Sequence, residues 1–131
     1  MVGIVIVSHS PKVADGVKDL ALQMSKKNQP IEAVGGTEDG KIGSDPMRIL
    51  SAIEKVNQGE GIIVLADIGS SIMSVGVAKE MLDEDVANSV YLANAPLVEG
   101  TIAAVIEASM GSSIDKILQT ANDSRNLNKI L

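Results

Sequence analysis

Cysteine, phenylalanine and tryptophan are absent from these 131 residues, and there is only one tyrosine and one histidine. Each gap removes a class of function. Without cysteine there are no disulfides, no thiol catalysis and no Cys-ligated zinc, and one histidine is too few for the usual transition-metal site. Without aromatic platforms or a basic patch, stacking on single-stranded nucleic acid has no support. Lys and Arg number 11 against 17 Asp and Glu, a net charge of −6 that opposes binding to a phosphate backbone. No apolar run is long enough to span a bilayer, and the N-terminus lacks the basic region and small-residue cleavage site of a signal peptide. The expectation is a cytoplasmic protein with no nucleic-acid and no membrane partner.

What is present is aliphatic. Hydrophobic residues make up 45% of the chain. That is enough to bury a core of Ile, Val, Leu, Ala and Met, and residues 1–131 read as one domain without linker or repeat. The run Val2 to Val7 is a strand apolar on both faces. Ser10-Pro11 then has the chemistry of a helix cap and first position. The spacing of Val13, Val17, Leu20, Ala21 and Met24 predicts a helix to about Lys27, with Lys26 and Lys27 in its last turn. Ile31 to Val34 is a short strand, followed by a glycine-rich loop to Ser44. Asp45-Pro46 repeats the cap-then-proline signature and opens a helix to about Asn57, with Met47, Ile49, Leu50, Ile53 and Val56 available for burial.

Ile62 to Ala66 is another wholly apolar strand, ending at Asp67-Ile68-Gly69-Ser70-Ser71 before a helix to about Leu82. Asp83-Glu84-Asp85 reads as solvated surface, and Ser89 to Asn94 as a fourth strand. A helix from near Pro96 to Met110 follows, with Val98, Ile102, Val105 and Ile106 along one side. Its small residues, Gly100, Thr101, Ala103, Ala104, Ala108 and Ser109, suit close packing against a neighbour, including another subunit. Ser112 or Ser113 caps a last helix. The tail from Asn122 to Leu131 is compatible with a short strand, a docked helix end or a frayed terminus. Strands alternating with helices predict an α/β three-layer sandwich. Its central sheet is mostly parallel, of four or five strands, with helices on both faces.

The chemistry gathers at two strand ends. His9 follows the first apolar strand, between Ser8 and Ser10 and beside a helix start; Asp67 is the first charge after the third. In parallel sheets ligands bind outside the carboxyl ends of the strands. A lone histidine is commonly a solvent-facing loop residue, and an aspartate here commonly a cap. Their paired occurrence favours one joint site. Imidazole, with an ordinary pKa of about 6.5, is partly neutral near neutral pH and can act as nucleophile or base. Helix starts offer free N–H groups to an anion. A nucleophile beside anion-binding helix starts points to phosphoryl transfer.

Val5-Ile6-Val7-Ser8-His9-Ser10, the loop from Gly36 to Ser44, Asp67-Ile68-Gly69-Ser70-Ser71 and Ala95-Pro96-Leu97-Val98-Glu99-Gly100-Thr101 together resemble the DhaM family. These are the phosphotransferase subunits of bacterial dihydroxyacetone kinase, related to the mannose-class enzyme IIA domains of the sugar phosphotransferase system. The likeness covers about residues 1 to 120. It implies a relay in which phosphoenolpyruvate charges enzyme I, then HPr, then His9. His9 would rephosphorylate ADP held on the nucleotide subunit of the kinase, and dihydroxyacetone on a third subunit receives the group last. It also implies that Asp67 is the family's aspartate, that the protein is a homodimer, and that ADP and magnesium belong to the partner subunit, leaving this chain no cofactor of its own. Some family members carry HPr-like and enzyme I-like domains downstream, so this chain is expected to use separate ones. Mannose relatives typically have glycine after the histidine. Ser10 favours the kinase branch over a sugar-transport enzyme IIA that passes phosphate to a IIB component.

The roles expected on this basis are specific. Nε2 of His9 attacks phosphorus while Asp67 accepts a hydrogen bond from the other ring N–H. The helix starts at Ser10 and at Gly69, with the Ser70 and Ser71 hydroxyls and Thr37 from the loop, bind phosphoryl oxygens. No metal ligands are expected. A switch phosphorylated on Asp67 and a non-catalytic interaction module are the competing classes.

Overall fold

The computed structural model describes residues 1–130. Its elements are β1 (Gly3–Ser8), α1 (Pro11–Met24), β2 (Ile31–Gly35), α2 (Pro46–Val56), β3 (Ile62–Ala66), α3 (Gly69–Glu80), α4 (Glu84–Ala87), β4 (Val90–Leu92), α5 (Leu97–Ser109) and α6 (Ile114–Asp123), with a 3-10 turn at Ser124–Asn126. All four strands are parallel, in the order β2-β1-β3-β4. Strand alternation divides the core in two. Ile4, Ile6, Ile63 and Leu65 face the layer of α1, α5 and α6, while Val5, Val7, Ile62 and Val64 face α2 and α3. The expected parallel three-layer sandwich is therefore present, with four strands. The chain steps from β1 outward to β2, then returns past β1 to β3. The winding reverses between β1 and β3, and a crevice opens at such a switch point above the strand ends.

The caps read from the sequence form. Ser10 accepts from Val13 N–H with proline at the first position, Asp45 accepts from Met47 N–H, and Ser113, of the two candidates, accepts from Lys116 N–H. Several local expectations are corrected by packing. α1 stops at Met24, not Lys27, because Ser25 turns extended and Lys26 N–H bonds the Ser109 hydroxyl on α5, so neither lysine lies in the last turn. The buried stripe of α1 is Ala14, Val17 and Ala21; Val13, Leu20 and Met24 are exposed. Met47, Val98 and Ile106 are exposed too. The small residues of α5 meet their own chain: Gly100, Thr101, Ala104, Ala108 and Ser109 are buried, and a Cβ on Gly100 would stand 2.7 Å from Ala95. The charge run at 83–85 is exposed, as expected, and opens a short helix, whereas β4 is three residues rather than six. In the tail, Lys129 pairs with Glu99 beyond the 3-10 turn, which fits a docked helix end; Leu131 lies outside the described residues.

Gly35 fixes the approach of β2 to the start of α1. It pairs with Ser8, and a Cβ there would stand 2.5 Å from the Ser10 carbonyl oxygen and 2.7 Å from Pro11 N. Both are backbone atoms that cannot rotate aside. Gly35→Ala is expected to cost about 1–3 kcal/mol, the range for overpacking. Thermal unfolding checks it, and an unchanged midpoint would mean that the β2–α1 contact yields.

Candidate functional site

Two ladder extensions deliver the site. Asp67 N–H donates to the Val7 carbonyl at 3.1 Å, prolonging the β1–β3 pairing, and Gly36 N–H donates to the Ser8 carbonyl at 3.1 Å on the other side. His9 and Asp67, 58 residues apart in sequence, are thereby side by side at the switch point. His9 Nδ1 lies 2.9 Å from Asp67 Oδ1, each side chain 20% exposed. His9 backbone N–H donates to Asp67 Oδ2 at 3.0 Å, so the carboxylate grips both the ring and the main chain of its partner.

Asp67 is fully occupied. Oδ1 also accepts from Ile68 N–H at 2.7 Å, and Oδ2 from the Ser8 hydroxyl at 2.9 Å. Partial burial is the largest single influence on its carboxyl and opposes the charge. The N–H groups of His9 and Ile68 and the hydroxyls of Ser71 and Ser8 together outweigh it, holding the group well below the ordinary carboxylate range. An ionised Asp67 can only accept, so the network assigns the proton of neutral His9 to Nδ1. Nε2 is left with its lone pair, and the Ser70 hydroxyl meets it at 2.5 Å.

Ser70 lies in the first turn of α3, which begins without a side-chain cap. Asp67, the natural capping candidate, is turned to His9 instead. The N–H groups of Gly69 and Ser70 have no acceptor inside their own helix. An exposed helix start thus faces the outer nitrogen of the imidazole.

The other predicted site residues sit differently. Ser71 is fully buried, 3.1 Å from Nδ1, and supports the His9–Asp67 pair from behind. The Ser10 hydroxyl is the cap of α1, and its N–H donates to Ser8 Oγ at 3.1 Å. The Thr37 hydroxyl is hydrogen-bonded to Asp39 within its own loop and is not among the partners of His9. Among the described residues no group of three or more His, Asp or Glu side chains is placed to hold a metal ion. Sequence reasoning missed Ser8, a buried hydroxyl at the end of an apolar strand, which links Asp67 to the Ser10 N–H. It also missed the seam joining the loop to α3, where Ser44 Oγ lies 2.7 Å from Ser74 Oγ and donates to the Ser70 carbonyl at 3.4 Å.

Residues 3–118 match the family described as EIIA-man, PTS system fructose IIA component. The phosphoryl donor subunit DhaM of the PEP-dependent dihydroxyacetone kinase of Providencia stuartii is 43% identical over 127 residues. The match takes in 95% of this chain but 27% of that protein, so the chain spans about a quarter of such a relative's length. A Listeria innocua protein, phosphoryl donor subunit DhaM of PEP-dependent dihydroxyacetone kinase 2, is 35% identical over 91% of this chain and 95% of its own. A crystal structure of a protein of unknown function superimposes with a TM-score of 0.84 at 39% identity, covering 94% of this chain and 95% of that one. No helix among the described residues is long and apolar enough to cross a membrane.

Proposed function

The chain belongs to the EIIA-man family, and from that premise we propose that residues 1–131 form one cytoplasmic phosphocarrier domain, the phosphoryl donor subunit of a dihydroxyacetone kinase. The observation that carries the reading is the hydrogen-bond polarity of His9. Asp67 holds the proton on Nδ1, and the unprotonated Nε2 meets the Ser70 hydroxyl in the uncapped first turn of α3.

The lone pair of Nε2 attacks the phosphorus of phospho-HPr in line. The donor's phosphorus–nitrogen bond breaks and its electron pair stays on the donor imidazole. His9 keeps its Nδ1 proton, and the positive charge that develops on the ring faces the Asp67 carboxylate. Ser70 must leave Nε2 for this, and a rotation about its Cα–Cβ bond turns its hydroxyl to a phosphoryl oxygen. The Gly69 and Ser70 N–H groups supply further donors. The return step breaks the Nε2–phosphorus bond when a terminal oxygen of ADP attacks, giving ATP on the kinase's nucleotide subunit; ADP and magnesium belong to that partner. Exposed Ile42 and Ile68, next in sequence to residues that contact His9, support protein partners rather than a free small molecule.

A reconstituted relay of phosphoenolpyruvate, enzyme I, HPr and this protein, followed by intact mass, is expected to show a single acid-labile phosphoryl group. That group is expected to move to ADP on the nucleotide subunit. Uptake without that second transfer would point to a sugar-transport enzyme IIA that hands phosphate to a IIB component. No uptake would remove the carrier role.

A further inference from the structure

We infer that Arg48 is a positioning residue for the His9 centre and acts through the loop 36–44; the inference rests on the phosphocarrier reading. Arg48 lies on α2, two positions beyond Pro46, half-buried, with no carboxylate at ion-pair distance among the described residues. Its Nη1 donates to three consecutive carbonyls: Gly35 at 2.6 Å, Gly36 at 2.9 Å and Thr37 at 3.4 Å. Carbonyl dipoles aimed at one point repel each other unless a cation sits there. The positive φ of Gly36, 69°, curls the chain so that they converge. The guanidinium and this curl therefore depend on each other.

From the curl a continuous path leads to His9. Thr37 N–H donates to the Lys41 carbonyl and Gly40 N–H to the Thr37 carbonyl, each at 2.9 Å, closing the middle of the loop into a tight turn. The Thr37 side chain rests on Gly43, where a Cβ would come within 2.8 Å of Thr37 Cγ2. Gly43 N–H donates to the His9 carbonyl at 3.0 Å, and Ser44 bonds the Ser70 carbonyl and the Ser74 hydroxyl on α3. The loop is thus clamped at one end by Arg48 and pressed at the other on the backbones of both His9 and Ser70. Freeing the Arg48 end loosens the loop's support of the His9 backbone, one of the contacts that set the imidazole against Asp67. Misplacement by about 1 Å can cost a reaction on the order of 100-fold.

The test uses Arg48→Met, which keeps the aliphatic stem and removes the donors, and Arg48→Lys, which restores a charge with fewer fixed donors. Because the chain has one histidine, nitrogen-15 spectra of its imidazole report the tautomer without ambiguity. Uptake is measured from phosphoramidate, a small donor that needs no docking, and from phospho-HPr. Arg48→Met is expected to stay folded, to show a mixed tautomer, and to slow uptake from both donors about 10- to 100-fold, with Arg48→Lys in between. A wild-type imidazole signature and wild-type phosphoramidate rate in Arg48→Met would overturn the inference, even if transfer from phospho-HPr alone were slowed. If Arg48→Met does not fold, Arg48→Lys carries the same test. Should the unmodified protein accept phosphate from neither donor, the carrier reading falls. The imidazole spectra then decide for Arg48 by themselves, and an unchanged signature overturns its role.

Discussion

His9→Ala is expected to take up no phosphoryl group from phospho-HPr, a loss of at least about three orders of magnitude, as follows when the nucleophile itself is removed. The fold should survive. His9 lies beyond the last strand residue, and truncation leaves its backbone N–H, the Ile68 N–H and the Ser8 hydroxyl still bonded to Asp67. The carboxylate is not stranded, so the thermal midpoint should move by no more than about 1 kcal/mol of stability implies. Intact mass after the relay reaction, read beside a melting curve, checks both halves. A phosphoryl group on His9→Ala would remove His9 from the mechanism. If that group were lost in base rather than acid, Asp67 would be the acceptor. The geometry opposes that outcome, because in this variant the Asp67 carboxylate still accepts three hydrogen bonds, two on Oδ2 and one on Oδ1.

Asp67→Asn is expected to slow uptake by roughly 100- to 10,000-fold while changing side-chain volume hardly at all. An amide offers one acceptor oxygen and one donor nitrogen. The Oδ1 position faces Ile68 N–H and His9 Nδ1; the Oδ2 position faces His9 N–H and the Ser8 hydroxyl. Whichever way the amide turns, its NH2 group confronts a backbone N–H. If it lies at the Oδ1 position, it also requires a lone pair on Nδ1 and so drives the ring proton to Nε2, the nitrogen that must attack. The wrong tautomer in a serine triad costs a comparable factor, about 10,000-fold. Initial rates of uptake together with imidazole nitrogen-15 shifts test this, and wild-type rates would remove Asp67 from the reaction. The same pair of proteins carries a pH signature. The folded carboxyl of Asp67 sits below its ordinary value. Its contribution to stability is therefore complete above the unfolded pKa of about 3.9 and is lost as pH falls toward the folded value. The stability gap between wild type and Asp67→Asn should narrow as pH drops below about 4.

Local chemistry determined by itself much of what matters here. Apolar runs without polar alternation state that a strand is buried on both faces. A hydroxyl or carboxylate before proline states where a helix begins, and Ser10 and Asp45 both take up that duty. The first polar residues after such strands must lie at the strand tips, so His9 and Asp67 were legible as occupants of one rim. These signals need only near neighbours in the chain, and the information is present within a few residues.

Only the tertiary structure decided which tips touch and which hydroxyls face the reaction. The order β2-β1-β3-β4 sets β3 beside β1, and that adjacency, not any motif, joins Asp67 to His9. It drew Ser71 into the buried support of the pair, kept Ser10 as a cap, turned Thr37 back on Asp39, and left Ser70 at Nε2. It also decided that Val13, Leu20 and Met24 stay exposed while Ala14 packs inward, and that Arg48 gathers three carbonyls at the edge of the site. The physical reason is common to all of these. A hydroxyl or guanidinium has several possible partners of nearly equal net worth, about 1 kcal/mol each. Which one it takes depends on what folding brings within 3 Å from tens of residues away.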